Sequence, residues 1–334
     1  MDRRNQILSA VLIVQIALIA FVFWPSQNSN AAVGKLLSVV KAADVMDVKI
    51  QDDKKTIHMA KTDGKWVLPD NGNYPVNEIQ VNQIISKVLA VDTSRLVAST
   101  AASHKRLKVD DKEFMRQIDL TTSDGKAHTL LVGTSPNIRA TNVRASGNDP
   151  VYLSGDVTGA DISTEVASWI DATYFTATQP DIKAIAFANA KGKFDFTKTI
   201  SNTWTLAGLA NGEQFNADNF STRLTRVGSI QMLEPLGKAA KPEYGLDKPS
   251  ATLTVTVQPT TTVAATVTTL LIGAKDATSN SYVVKSSRSD YYVRVASFTL
   301  DSFVEDDRSQ FLVAPPTPTV APAAAPVATP TAKP

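Results

Sequence analysis

The sequence predicts an α+β protein: an N-terminal transmembrane helix, then two tandem homologous units of antiparallel strand meanders, each with a packed helix, then a disordered Pro/Ala-rich tail. Three observations predict it. Landmarks in residues 44–175 recur in the same order, 138 to 140 positions later, in residues 181–311. Residues 7–24 form one apolar run, and each copy alternates short β-patterned segments with one amphipathic helical segment. Trp66 in KWVL is matched by Trp204 in TWTL, the LLVG ending at Gly133 by the LLIG ending at Gly273, and the VYL around Tyr152 by the YYV around Tyr292. In the same register Asn77 stands opposite Asn216 and Leu107 opposite Leu246. At 334 residues, two domains of roughly 150 residues each also fit the length.

The predicted boundaries are 1–6 for a cytoplasmic N-terminus, 7–24 for the membrane helix, 25–43 for a tether, 44–177 and 178–313 for the two units, and 314–334 for the tail. Within 7–24, twelve residues are Ile, Leu, Val or Phe and Gln15 is the one strongly polar side chain. At about 1.5 Å per residue such a helix spans about 27 Å, close to a hydrocarbon core of about 30 Å. The anchor set is Ile7, Leu12, Ile16, Ile19, Phe23 and Trp24. Arg3 and Arg4 on its short side place the N-terminus in the cytoplasm and the bulk of the chain on the far side of the membrane. Ser29-Asn30-Ala31 would serve as a cleavage site if the run were a signal peptide, but the run exceeds the usual signal core; both readings export the folded part.

In the first unit, alternation at Val48, Ile50 and Ile57, the Asp63-Gly64 turn signal and Trp66 predict a strand meander. A helix over 78–90 follows: Asn77 is its cap, Gln80 completes a capping box, and Val81, Ile84, Ile85, Val88 and Leu89 make the buried stripe. Beyond a basic turn over 104–109 comes a hairpin through Ile118, Leu120, Ser123-Asp124-Gly125 and Leu130, then strands over 140–145 and 151–154 and a short helix over 164–172. The second unit repeats this, with Phe220, Leu224 and Val227 on its helix over 217–227. Its Thr- and Val-rich hairpin, 251–257 and 263–272, is predicted as an exposed edge for another chain to pair with. The tail from 314 is almost entirely Pro, Ala, Thr and Val and predicts an extended spacer.

Chemistry-bearing groups are sparse. There is no cysteine, and the three histidines, His58, His104 and His128, all lie in the first copy at spacings unlike a metal site. No P-loop, Gly-x-Ser-x-Gly or dinucleotide glycine pattern occurs. The adjacent acids Asp52-Asp53, Asp110-Asp111 and Glu305-Asp306-Asp307 fall where Asp bonds its own backbone in turns. A net charge of +2 provides no field for a polyanion, so nucleic acid is not an expected partner, and neither a cofactor nor an enzymatic activity is expected.

The first residues MDRRNQILSAVLIVQ, the phrase KWVLPDNGNYP before a helix, the HKRLKV turn, and Tyr244-Gly-Leu-Asp-Lys-Pro before a Thr-rich strand and LLIG together resemble the bacterial family known as domain of unknown function 4340. The Gly-Leu-Asp phrase is intact only in the second copy; the first has Arg106-Leu107-Lys108 there. The resemblance implies a membrane-anchored protein encoded near ABC-transporter components of the gliding-motility type. It carries no site residues. The expectation is therefore a non-enzymatic extracytoplasmic accessory or scaffold protein with ABC transporter subunits as candidate partners. The alternative is a small-ligand or glycan-binding module using a groove between the units near Tyr174, Phe175 and Tyr244.

Overall fold

The computed structural model describes residues 33–314 together with Leu12, Val14 and Gln15, which are helical. The rest of the predicted anchor, and the tail from 315, lie outside the described residues. Among the described residues no helix is long and apolar enough to cross a membrane.

The described chain is mixed α+β, with antiparallel sheets and few helices. Contacts divide it into two units, one made of residues up to Pro69 with Pro75–Ile170, the other of Asp70–Tyr74 with the residues from Asp171. The strands of the first sheet are β1 (Val45–Gln51), β2 (Thr56–Thr62), β3 (Lys65–Leu68), β4 (Tyr74–Pro75), β5 (Leu96–Ala98), β6 (Arg116–Thr122), β7 (Ala127–Val132), β8 (Thr141–Ala145) and β9 (Val151–Ser154). Their order is β4-β3-β2-β1-β6-β7-β8-β9-β5.

The second unit has a two-stranded ribbon of β10 (Thr173–Thr176) and β14 (Ser229–Gln231) and a second sheet. That sheet holds β11 (Ile182–Asn189), β12 (Gly192–Lys198), β13 (Trp204–Leu206), β15 (Glu234–Gly237), β16 (Ala251–Val257), β17 (Thr266–Asp276), β18 (Ser281–Ser286) and β19 (Tyr292–Ala296), in the order β13-β12-β11-β16-β17-β18-β19-β15. Apart from β4 the two orders are the same, strand for strand.

Alternating burial sets the faces. In the first sheet Val48 and Ile50 of β1 pair with Leu120 and Ile118 of β6, and all four are fully buried. In the second, Ile185 and Phe187 of β11 pair with Val255 and Leu253 of β16. The first core is mostly aliphatic. The second is aromatic: Phe187 packs with Phe196, Phe303 and Phe311 at ring separations of 5.5 to 6.0 Å.

Each unit has one long helix, entered in the same way. In α1 (Glu78–Ala90) the Asn77 side chain accepts from the Ile79 and Gln80 amides, and Val81, Ile84, Ile85 and Val88 are buried. The capping box is not closed by Gln80, because the Asn77 N–H is taken by the Trp169 carbonyl at 2.6 Å. After α2 (His104–Leu107), one helical turn where the sequence suggested only a turn, comes α3 (Ala217–Gly228). Its cap Asn216 accepts from the Asn219 amide and donates its own N–H to the Phe311 carbonyl at 2.9 Å. That use of the Trp169 carbonyl goes with the replacement of the predicted helix over 164–172 by a single 3-10 turn, Val166–Ser168, with the Trp169 Nε1 bonded to the Ser163 carbonyl. The second unit does form a helix at its end, α4 (Ser297–Glu305), in keeping with the repeated order.

Three further expectations are corrected. The end of the tether is part of the first unit: Leu37 and Val40 are buried, and the Leu36 N–H bonds the Val91 carbonyl at 2.8 Å. The apolar Leu36, Leu37 and Val40 give that segment a face to bury. The Thr/Val hairpin is no edge, since β16 and β17 lie inside their sheet between β11 and β18. The copy register also drifts. β8 meets β9 at Val143 and Tyr152, whereas β18 meets β19 at Val284 and Val293, so Tyr292 occupies the place of Val151, not of Tyr152.

Glycine is required at one place in each sheet. A Cβ on Gly133 would lie 2.0 Å from the Leu107 carbonyl oxygen, and one on Gly273 would lie 2.0 Å from that of Tyr244. The chain leaves each of these turns through a left-handed residue, Lys108 at φ 56° and Gly245 at φ 65°. Leu107 therefore corresponds to Tyr244, and Val109 to Leu246; pairing Leu107 with Leu246 would place the wrong carbonyl over the strand.

Gly133→Ala and Gly273→Ala are each expected to lose about 2–4 kcal/mol, because the obstacle is backbone. Gly159→Ala, with open space around it, should stay within about 0.5 kcal/mol; urea unfolding of the three variants checks this. At the end of β1, burial would raise the Asp52 carboxyl, but hydrogen bonds from the Lys54 and Lys55 amides and the Thr164 hydroxyl, with the Arg116 charge, lower it to about 2. A depressed carboxyl contributes stability above its unfolded pKa and loses it as pH falls, so wild type should lose more stability than Asp52→Asn between pH about 4 and about 2 in acid unfolding.

Candidate functional site

Beside the Gly133 and Gly273 crossings each sheet has a second shared feature, a cation on the third strand from its end. At the position paired with Leu131, β8 carries Arg144; at the position paired with Leu271, β18 carries Lys285. Arg144 is 2% exposed. Its Nε donates to the Val109 carbonyl at 2.6 Å, its Nη1 to the Asn148 carbonyl at 2.8 Å, and its Nη2 lies 2.8 Å from Asp111 Oδ1 as an ion pair. Burial would raise the Asp111 carboxyl, but the Ser146 hydroxyl and Arg144 hold it below the ordinary range. The guanidinium thus ties the turn after α2 to the β8–β9 connection over a sealed cluster of Leu107, Val109, Leu131 and Val151.

In the second unit Lys285 donates to the Ser286 carbonyl at 3.2 Å and to the Ser289 carbonyl, and its Nζ stands 5.5 Å from the Tyr292 ring centroid. Tyr292 is 5.3 Å from Tyr244 between ring centroids, and Lys241 lies 5.7 Å from the Tyr244 ring. A cleft of about 400 Å³ opens here, lined by Lys241, Pro242, Leu246, Leu271, Lys285 and Tyr292 among others.

Tyr174, Phe175 and Tyr244 all belong to the second unit and do not line one cavity. Tyr174 and Phe175 line a hollow of about 180 Å³ with Thr268, Ser286 and Arg288. The Tyr174 hydroxyl donates to the Tyr291 carbonyl and accepts from the Ser286 amide, both at 2.8 Å, and burial raises its phenol above the usual range. Tyr244 is 5% exposed beside the other cleft.

Most of the polar groups singled out in the sequence have local partners. His58 Nε2 lies 2.5 Å from Asp47 Oδ2, and the buried His104 bonds the Asp149 carbonyl at 2.9 Å. His128 lines a pocket of about 500 Å³ with Asp124 and Lys126. Asp110 and Asp307 accept from amides two residues on, and Asp306 pairs with Arg223 at 2.8 Å. Tyr282 bonds Asp301 at 2.9 Å, and burial with that contact pushes its phenol up to about 12, so it stays protonated. Among the described residues no group of three or more His, Asp or Glu is placed to hold a metal ion. Trp66 is buried in the core at 2% exposure, and Trp204 packs 5.0 Å from Phe220.

Sequence reasoning passed over Arg144 and Lys285. The signal was there in NVRASGND and YVVKSSRSD, which align cation on cation once the offset is set to 141.

A family model described as Domain of unknown function (DUF4340) matches residues 66–249, more than half of the chain. The chain belongs to the DUF4340 family. No curated protein and no solved structure matches it. The DUF4340 match opens at Trp66 on β3 and closes at Pro249, in the Tyr244-Gly-Leu-Asp-Lys-Pro phrase that borders the cleft.

Arg144→Lys in this DUF4340 protein should remove the Asp111 pair and leave buried carbonyls without a donor, lowering stability by about 2–3 kcal/mol in urea unfolding. Lys65→Arg at the exposed start of β3 should change it by less than about 0.5 kcal/mol.

Proposed function

We propose that this DUF4340 protein is a non-enzymatic, membrane-anchored accessory or scaffold protein of a bacterial envelope complex, working with an ABC-type transporter. Two units descended from a tandem duplication would stand outside the plasma membrane on the single helix of residues 7–24. The observation that carries this reading is the kind of feature the two units have in common. Both have the strand order, the Asn-capped helix tied to an aromatic carbonyl, and the carbonyl resting on a strand glycine. The three histidines, by contrast, lie in one unit only. Repetition of framework without repetition of reactive groups fits a protein selected for the surfaces it presents. The apolar run with Arg3 and Arg4 on its short side supports the anchored topology.

Crosslinking in intact cells, mild-detergent capture on a C-terminal tag and mass spectrometry should recover a permease or ATPase of the ABC type. Recovery of the bait alone would count against the accessory role.

A further inference from the structure

We propose that the cleft beside the Tyr244–Gly245 turn of the second unit is a binding site for a small organic anion, a monocarboxylate on an aromatic or apolar body. This goes beyond the accessory role and does not depend on it. The first unit shows what the same place looks like when closed. There Leu107, Val109, Leu131 and Val151 are 0–7% exposed, and Arg144 satisfies its charge on Asp111. In the second unit the corresponding positions hold Tyr244, Leu246, Leu271 and Tyr292, with Lys285 for the arginine. Leu246, Leu271 and Tyr292 are only partly buried, and the cleft of about 400 Å³ lies among them. That volume is in the range of small-molecule sites, roughly 300–1,000 Å³.

Charge decides what would fill it. Among the described residues no carboxylate comes within the 4.0 Å ion-pair distance of Lys285 or of Lys241. An ammonium has three donors, and Lys285 uses two on the Ser286 and Ser289 carbonyls, so one donor and the whole positive charge remain for a ligand. Lys241 supplies a second cation in the lining, and Leu246, Leu271, Pro242 and the Tyr292 ring supply apolar surface. Asp247 also lines the cleft. Its negative charge disfavours a dianion, which selects a carboxylate over a phosphate.

The test uses the full chain in detergent micelles with methyl-labelled leucine, at constant ionic strength, titrated with benzoate, with neutral benzamide and with inorganic phosphate. Benzoate should shift the Leu246 and Leu271 methyl resonances saturably, benzamide should leave them in place, and phosphate should bind about tenfold more weakly. Lys241 is exposed, so Lys241→Gln should fold normally and weaken benzoate by about fivefold. The proposal is overturned if benzoate moves neither methyl, if benzamide matches it, if phosphate binds as tightly, or if Lys241→Gln binds benzoate unchanged.

Discussion

In each unit a backbone carbonyl occupies the space where a strand residue would have carried its side chain. Leu107 O sits over Gly133 and Tyr244 O over Gly273, each 2.0 Å from where a Cβ would be. Much follows from this contact. The chain has to turn sharply enough to bring the carbonyl down, which takes a left-handed residue directly after it. The next residue, Val109 or Leu246, is then directed onto the sheet beside the glycine. A buried carbonyl also needs a donor, and in the first unit it has two, the Thr134 amide at 2.9 Å and the Thr134 hydroxyl at 3.3 Å. Only glycine satisfies the strand side, so this position, unlike most strand positions, has no alternative.

The cation on the neighbouring strand depends on the same crossing, because the turn carbonyl it reaches, Val109 O, is set in place by it. Burying a guanidinium is costly unless it is partnered, and Arg144 places Nε and Nη1 on two carbonyls and Nη2 in ion-pair contact with a carboxylate. Lysine at the equivalent position reaches the β18–β19 connection and no acid. The two units thus differ at a point where the frame is the same: one closes the space with aliphatics and a paired arginine, the other leaves a cleft lined by Leu246, Leu271, Tyr292 and two lysines. Their cores differ likewise, aliphatic in the first and aromatic in the second, without any change in strand order. A frame fixed by backbone contacts tolerates such exchange, since side-chain volume is adjusted locally.

How much of this was legible in the sequence follows from where the constraints lie. The helix over 78–90 was readable to the residue because Asn77 and the Val81, Ile84, Ile85, Val88 stripe are both local signals. Strand β9 was readable as 151–154 for similar reasons. The turn pairing was not, because His104–Lys108 and Pro242–Gly245 share no residue type; what they share is a carbonyl position and a sign of φ. The edge assignment of the Thr/Val hairpin failed because β-branched composition reports a pleated surface, and strand order is decided by partners distant in sequence. Arg144 and Lys285 were missed because each is a single cation inside a strand, unremarkable until its pairing register with Leu131 or Leu271 is known.

The extent of the family match has a physical reading on the same terms. Residues 66–249 leave out β1 and β2 of the first sheet and β16 to β19 of the second. In both sheets the missing part includes the strand, β1 or β16, that joins the first hairpin to the rest. The matched stretch therefore cannot be the folding unit, since three of the eight strand pairs of the first sheet and five of the seven of the second would be lost. It does contain both helix caps, both left-handed turns and Gly133. Those are the positions where backbone geometry narrows the choice to one or two residue types, while the central strands accept any apolar residue of suitable size at every second place. The fold extends to strands on both sides of the matched stretch, and those strands complete both sheets.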